Sequence, residues 1–255
     1  MKTFQDLQEG RNDPNIFKAF FLAGGPGSGK SYVVRKTTGG SGLRVVNSDD
    51  AFENLLKKAN LSLKMPTEEE EAREVHRQRA KKLTKARQKN YIEGRIGLII
   101  DGTGKEYDKI AAQATQLKQL GYDVHMIYVN TSLDTALARN AKRARSVPED
   151  IVVKSWKDVQ SNIGKFSQYF RQNFVVVDNN DSDEDVMTPV FKQVRNLLKK
   201  PVRNPQANEW VYQQMRKRGI RKFPKQFDPS KIEKRKGEVR AKRTPRKQYV
   251  QDPLG

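Results

Sequence analysis

FFLAGGPGSGKSYVV, residues 20 to 34, runs an apolar segment into a glycine-rich turn and then into helix-compatible residues. The turn, Gly24-Gly25-Pro26-Gly27-Ser28-Gly29-Lys30-Ser31, carries G-x-x-x-x-G-K-[ST] with a strand before it and a helix after it, the setting the pattern requires. Gly24 and Gly29 set the spacing, and Gly25 and Gly27 free the backbone to curl around an anion. The curled amides and the first N–H groups of the following helix then face phosphate oxygens. In that arrangement Lys30 reaches the β- and γ-phosphates and the Ser31 hydroxyl sits on Mg²⁺. The plain alternative, a turn that binds nothing, is disfavoured because every constrained position is matched. The stretch therefore implies a phosphate cradle for ATP, with Gly24, Gly25, Gly27, Ser28, Gly29, Lys30 and Ser31 as its binding residues.

Working outward, apolar runs at Ile16–Ala23, Leu43–Asn47, Ile96–Ile100, Val124–Val129 and Phe174–Val177 read as five strands. Helical patterns alternate with them. Lys30 to about Lys36 precedes Thr37-Thr38-Gly39-Gly40-Ser41-Gly42, a loop by composition. Ala51–Ala59 is helix-compatible, and Thr67-x-x-Glu70 matches a capping box opening a long charged helix through Arg95. Tyr107–Leu120 ends at Gly121 in the C′ position. Leu133–Arg145 reads as one helix, and Ser146-Val147-Pro148-Glu149 starts the next, with Pro148 in its first turn. There Ile151, Val152, Ser155, Trp156, Val159 and Ile163 share a face, which makes Trp156 a core residue rather than a base-stacking one. Thr188-Pro189 caps a last helix through Leu198. Strands alternating with helices predict an α/β P-loop NTPase fold: a doubly wound, five-stranded parallel sheet with helices on both faces. The expected division is a polar leader at 1–15, a kinase-like domain at 16–200 and a basic, aromatic-containing C-terminal extension at 201–255.

Ligands of such sheets sit beyond the carboxyl ends of the strands, so Asp49, Asp101 and the region of Thr131 should share a rim with Lys30. Phosphoryl transfer needs a cradle, a metal, a group that takes the acceptor's proton, and positive charge over the transferring group. Asp49 and Asp50 follow the second strand, and only one of two neighbours on a strand end faces the site. Asp49 is favoured, with helix capping as the alternative role for either. Asp101 either closes a Walker-B strand and helps hold Mg²⁺ through water, or helps bind the acceptor. Arg139 and Arg143, one helical turn apart, suit a lid over the triphosphate, unless that helix is merely solvated. His76 and His125 stand alone and read as structural.

The chain has 50 Lys and Arg against 30 Asp and Glu, a formal charge of +20, which favours a polyanionic partner. From Pro201 onward there are 16 Lys and Arg against 5 Asp and Glu, so a basic tail hangs from a milder body. Trp210, Tyr212, Phe223, Phe227 and Tyr249 are interleaved with it, and residues 206–217 can be helical. With no cysteine, no signal-like N-terminus and no membrane-length apolar run, a cytoplasmic protein with no membrane partner is expected, in a host cytoplasm if phage-encoded.

GGPGSGKS, VNSDD, IIDGTG and RNAKRARSVPEDIV occur in that order, and over roughly residues 16 to 180 the chain resembles the bacteriophage polynucleotide 5′-kinase domain and its relatives, the zeta-toxin-like kinases. The resemblance implies Asp49 as general base, Asp101 as an aspartate required for activity, Arg143 as the lid arginine and Arg139 near the nucleotide. One departure matters: Phe52 stands where the polynucleotide kinases carry an arginine that grips the acceptor's phosphate. The stretch after residue 200 also has neither the length nor the acidic motif of the phage enzyme's phosphatase domain.

Two readings follow. In one, an ATP-dependent kinase moves the γ-phosphate to a hydroxyl of a nucleic-acid end or a nucleotide-like small molecule, with nucleic acid favoured by the tail. In the other, a nucleotide-gated binding protein uses its tail to dock on nucleic acid or an assembly.

Overall fold

The computed structural model describes residues 15–219 apart from residues 65, 144, 145, 181–183, 201, 203 and 218, with no side-chain description at 37, 67 and 184–187. The expected leader and most of the aromatic tail thus lie outside the described residues. The chain divides into two compact units after Pro201.

In the first unit β1 (Lys18–Ala23), β2 (Arg44–Val46), β3 (Leu98–Asp101), β4 (Asp123–Asn130) and β5 (Phe174–Asp178) form one sheet of order β2-β3-β1-β4-β5, every pair parallel. It is the doubly wound sheet expected, and β1 lies at its centre. Alternation along β1 sends Phe20 and Leu22 to one face and Phe21 to the other. Phe20 and Leu22 join Val33 of α1 (Lys30–Thr38) and Val190, Val194 and Leu197 of α7 (Glu184–Lys199) in one buried cluster. Phe21 meets Phe170 of α6 (Glu149–Phe170), with ring centroids 6.1 Å apart. α4 (Tyr107–Gln119) shares that second face and closes as the glycine predicted. Tyr122 N–H donates to Leu117 O at 3.0 Å and Gly121 N–H to Lys118 O at 3.0 Å, the paired bonds of a Schellman motif.

Several boundaries differ from the sequence reading, each for a local reason. Thr37 and Thr38 belong to α1 rather than to a loop, and the Thr38 hydroxyl donates back to Val34 O at 2.6 Å. The long helix starts later than Thr67, with Glu69 as its N-cap. Residues Thr67–Glu69 make a 3₁₀ turn, α3 runs Glu70–Glu93, and the Glu69 carboxylate accepts from Ser62 N–H at 2.8 Å. On α6 the buried stripe is Val152, Ser155, Val159, Asn162, Phe166 and Phe170, while Ile151 is exposed. Asn162 displaces the expected apolar stripe because its amide donates to the carbonyls of Gly104 and Lys105. α7 begins before Thr188 and carries Pro189 inside it, a lost hydrogen bond offset by the burial of Val190, Val194 and Leu197. In the second unit α8 (Pro205–Lys217) buries Ala207, Val211 and Met215, spaced four apart on one face. Among the described residues no helix is long and apolar enough to cross a membrane.

The amino-terminal foot of the sheet holds two buried polar side chains. Lys18 Nζ donates to Asp123 Oδ2 at 2.7 Å, directly across the β1–β4 register. His125, 3% exposed, stacks on Phe20 with centroids 4.8 Å apart, and neither ring nitrogen has a partner in hydrogen-bonding geometry. Burial, reinforced by the charges of Lys18 and Lys200, holds its pKa down at about 3 against a usual 6.5. The unfolded chain therefore binds a proton that the native state refuses between those values. Stability from neutral His125 is complete above pH 6.5 and declines as pH falls towards 3, at up to about 1.4 kcal/mol per pH unit. His125→Leu should flatten the fall in melting temperature between pH 7 and pH 4, as read by thermal denaturation across that range.

Candidate active site

The glycine-rich turn bridges β1 and α1, and three elements wall it in. Gly27 has φ +78°, and a Cβ there would lie 2.1 Å from Ala136 O of α5 (Leu133–Ala141). Gly29 has φ +83° at the N-cap of α1, where a Cβ would meet the Asn179 amide at 2.3 Å. Both positions thus require glycine for conformation and for space. Asn179 Nδ2 donates to Ser28 O at 2.8 Å, tying the turn to the end of β5. The backbone of Trp156 backs the turn at Gly25, and its indole donates to Thr131 O at 2.8 Å; the side chain is half-buried rather than in the core the sequence implied. Lys30 folds across the loop, its ammonium donating to Gly24 O at 2.5 Å and Gly25 O at 3.2 Å. No side chain caps α1, which leaves its positive end to an anion.

The carboxylates lie on the β3 side. Asp101 ends β3, in register with Leu22 of β1, and its Oδ2 accepts from Asn47 Nδ2 at 3.0 Å. Its Oδ1 is buried with no hydrogen-bond partner. Burial raises the Asp101 pKa, opposed by Lys30, while Asp49 and Asp50 add to the rise. Burial lowers the Lys30 pKa, opposed by Asp101 and then Asp49. Asp49 and Asp50 stand not on a strand end but in the first turn of α2 (Ser48–Lys58). The helix starts early because Asn47 is its N-cap, accepting from Asp49 N–H at 2.7 Å. Neither aspartate is therefore the cap. Successive residues are now about 100° apart rather than on opposite faces. Both exposed carboxylates act on Asp101, but only Asp49 acts on Lys30 as well.

The two lid arginines part company. α5 stops at Ala141, so Arg143 lies beyond it and shares no helical face with Arg139. Arg139 donates to Asn179 O at 2.6 Å and Asn180 O at 3.2 Å. Arg143, exposed, is the one whose charge is felt at both Lys30 and Asp101. Asn140, 6% exposed, closes the connection carrying it: its amide donates to Val147 O at 2.7 Å and accepts from Val147 N–H at 3.0 Å. α6 follows with Pro148 as its N-cap rather than inside its first turn. Asn47, Asn140 and Asn179 went unnoticed in the sequence. Only Asn47 had a local signal there, a capping residue just after a strand.

A central strand ending in this cradle, flanked by a strand ending in aspartate, defines a P-loop phosphotransferase. The chain belongs to the zeta toxin family, whose sequence model matches residues 5–188. No curated protein matches it. Among solved structures it is similar to the AvrRxo1-ORF1:AvrRxo1-ORF2 complex with sulphate ions, at 14% identity and TM-score 0.50 over 92% of this chain and 82% of that one. It also matches the PezAT toxin-antitoxin system of Streptococcus pneumoniae, at 15% identity and TM-score 0.49 over 74% and 88% of the two chains. A match to the Pnkp1/Rnl/Hen1 RNA repair complex has 22% identity and TM-score 0.45 over 58% of this chain and 46% of that one.

Asn179→Ala should leave Ser28 O buried without a partner. A loss of about 1–3 kcal/mol is expected by chemical denaturation, with weaker ATP binding by calorimetry.

Proposed function

We propose that the protein transfers the γ-phosphate of ATP to a hydroxyl of a nucleic-acid end or a nucleotide-like small molecule, with Asp49 as general base. The observation that carries this reading is the placement of Asp49 in the first turn of α2, where its N–H is held by Asn47, the residue whose amide bonds Asp101. Of the two neighbouring aspartates, it is the one coupled to both the cradle lysine and Asp101. Gly24, Gly25, Gly27, Ser28 and Gly29 wrap the phosphates, Lys30 turns from the loop carbonyls to the β- and γ-oxygens, and Arg139 and Arg143 flank the nucleotide. Asp49 accepts the acceptor's proton as the hydroxyl oxygen bonds to the γ-phosphorus, and the bond to the β-phosphate oxygen breaks to release ADP. Arg143 offsets charge on the transferring group.

The residues present fit Mg²⁺: Ser31 and Asp101 would hold it, Asp101 offering a buried oxygen that no protein group satisfies. When bound, the ion neutralises charge on the β- and γ-phosphate oxygens. The basic surplus after residue 200 supports a nucleic-acid acceptor, because each phosphate neutralised by Lys or Arg releases counterions.

Radiolabelled ATP incubated with 5′-hydroxyl oligonucleotides or UDP-sugars tests the reading: label should enter an acceptor. ADP and free phosphate alone would support a nucleotide switch instead. Lys30→Ala should abolish transfer with the melting temperature retained. Asp49→Asn should slow transfer about 10²–10⁴-fold with ATP affinity nearly unchanged. A larger loss in Asp50→Asn than in Asp49→Asn would reverse the assignment.

A further inference from the structure

We propose that the solvent face of α3 binds a nucleic-acid backbone through a stripe of Arg79, Lys82, Lys85 and Lys89. The stripe belongs to the first unit rather than to the basic tail, and the proposal does not depend on the kinase reading.

Between Glu74 and Glu93 α3 carries seven Lys and Arg and no acidic residue. A turn of about 100° per residue sorts them around the helix. Ala80, buried with Phe52 and Leu56 of α2, and Thr84, whose Oγ1 lies 3.5 Å from Asn47 O, mark the inner side. Arg79, Lys82, Lys85 and Lys89 follow at i, i+3, i+6 and i+10, within an arc of about 120° on the opposite side. All four are exposed. They set one cation per turn along about 15 Å of helix, the length of about four phosphate steps on one strand of a duplex.

The stripe has no internal counter-charge. Among the described residues the ion pairs of this stretch stand at its ends, Arg77 with Glu74 at 3.8 Å and Lys89 with Glu93 at 3.9 Å, while Arg79, Lys82 and Lys85 make none. Lys82 has Arg79 and Lys85 three residues to either side, and Lys89 stands four beyond Lys85. Each neighbouring pair therefore repels and works against the helix. With Ala80 as its one buried residue, α3 has little packing to absorb that repulsion. A polyanion removes it and gains further from counterion release. Other anionic surfaces fit less well. Between Arg79 and Lys89 the arc holds one other residue, Ala86, so no large apolar side chain sits among the cations to enter a bilayer. A nucleic-acid strand presents a charge at every step whatever its sequence, whereas an acidic protein would need carboxylates set in this register.

The test titrates full-length protein, without ATP, into a short fluorescein-labelled DNA duplex at several salt concentrations, with anisotropy as the readout. Lys82→Gln/Lys85→Gln should make the slope of log K against log salt shallower by about 1.8, at about 0.9 per lost phosphate contact. Arg79→Gln alone, the second variant, should make it shallower by about 0.9. Lys82→Arg/Lys85→Arg should keep the wild-type slope. Lys154→Gln/Lys157→Gln removes the same charge from exposed positions of α6 and should leave the slope unchanged. Gln matches Lys in helix propensity and the change removes like-charge neighbours, so the α3 double variant should melt no lower than wild type. An equal fall for the two Gln pairs, or none for the α3 pair and Arg79→Gln, overturns the stripe. Tighter binding to poly-glutamate or to phosphatidylserine vesicles than to the duplex, lost with the α3 pair, overturns nucleic acid as its partner.

Discussion

Removal from water pushes Lys30 and Asp101 each towards its neutral form, and the charge of each opposes that shift in the other. The whole rim is arranged around that mutual compensation. Lys30 is further confined by the carbonyls of Gly24 and Gly25, and Asp101 by the amide of Asn47. What remains uncommitted is one buried oxygen of Asp101 and the uncapped positive end of α1.

The topology is what brings the two charges together. β1 ends in the cradle at the centre of the sheet and β3, its hydrogen-bonded neighbour, ends in Asp101. The opposite end of the same strands carries the Lys18–Asp123 pair and His125. One ion pair at the foot is closed on itself and crosses the strand register. At the rim, Asp101 keeps one buried oxygen without a hydrogen-bond partner. The sheet thus separates polar burial that serves folding from polar burial that can serve chemistry.

The cradle was legible in the sequence because its requirements are backbone requirements, and a position where a Cβ would lie 2.1 Å from Ala136 O is written as glycine. The strands were legible because burial on both faces leaves continuous apolar runs. The carboxylates were legible as candidates, but their setting was not. Asn47 starts α2 three residues early and converts an apparent strand end into a first helical turn. The shared face of Arg139 and Arg143 failed similarly, since α5 ends at Ala141 and a helix end set by Asn140 closing on Val147 leaves no periodic trace. Asn179 acts through a partner far along the chain, at Ser28, and no local pattern reports such a pairing.

Asn47 ties the start of α2 to the end of β3. Its side-chain oxygen caps α2 and so sets the rotation at which Asp49 leaves the sheet. Its amide holds Asp101, the partner of the cradle lysine. Its backbone carbonyl faces Thr84 on the inner side of α3. A shift of α2 relative to the sheet would therefore move Asp49 and the orientation of the buried carboxylate together. With one asparagine common to both, the placement of Asp49 against Asp101 is governed by a single joint between β2 and α2.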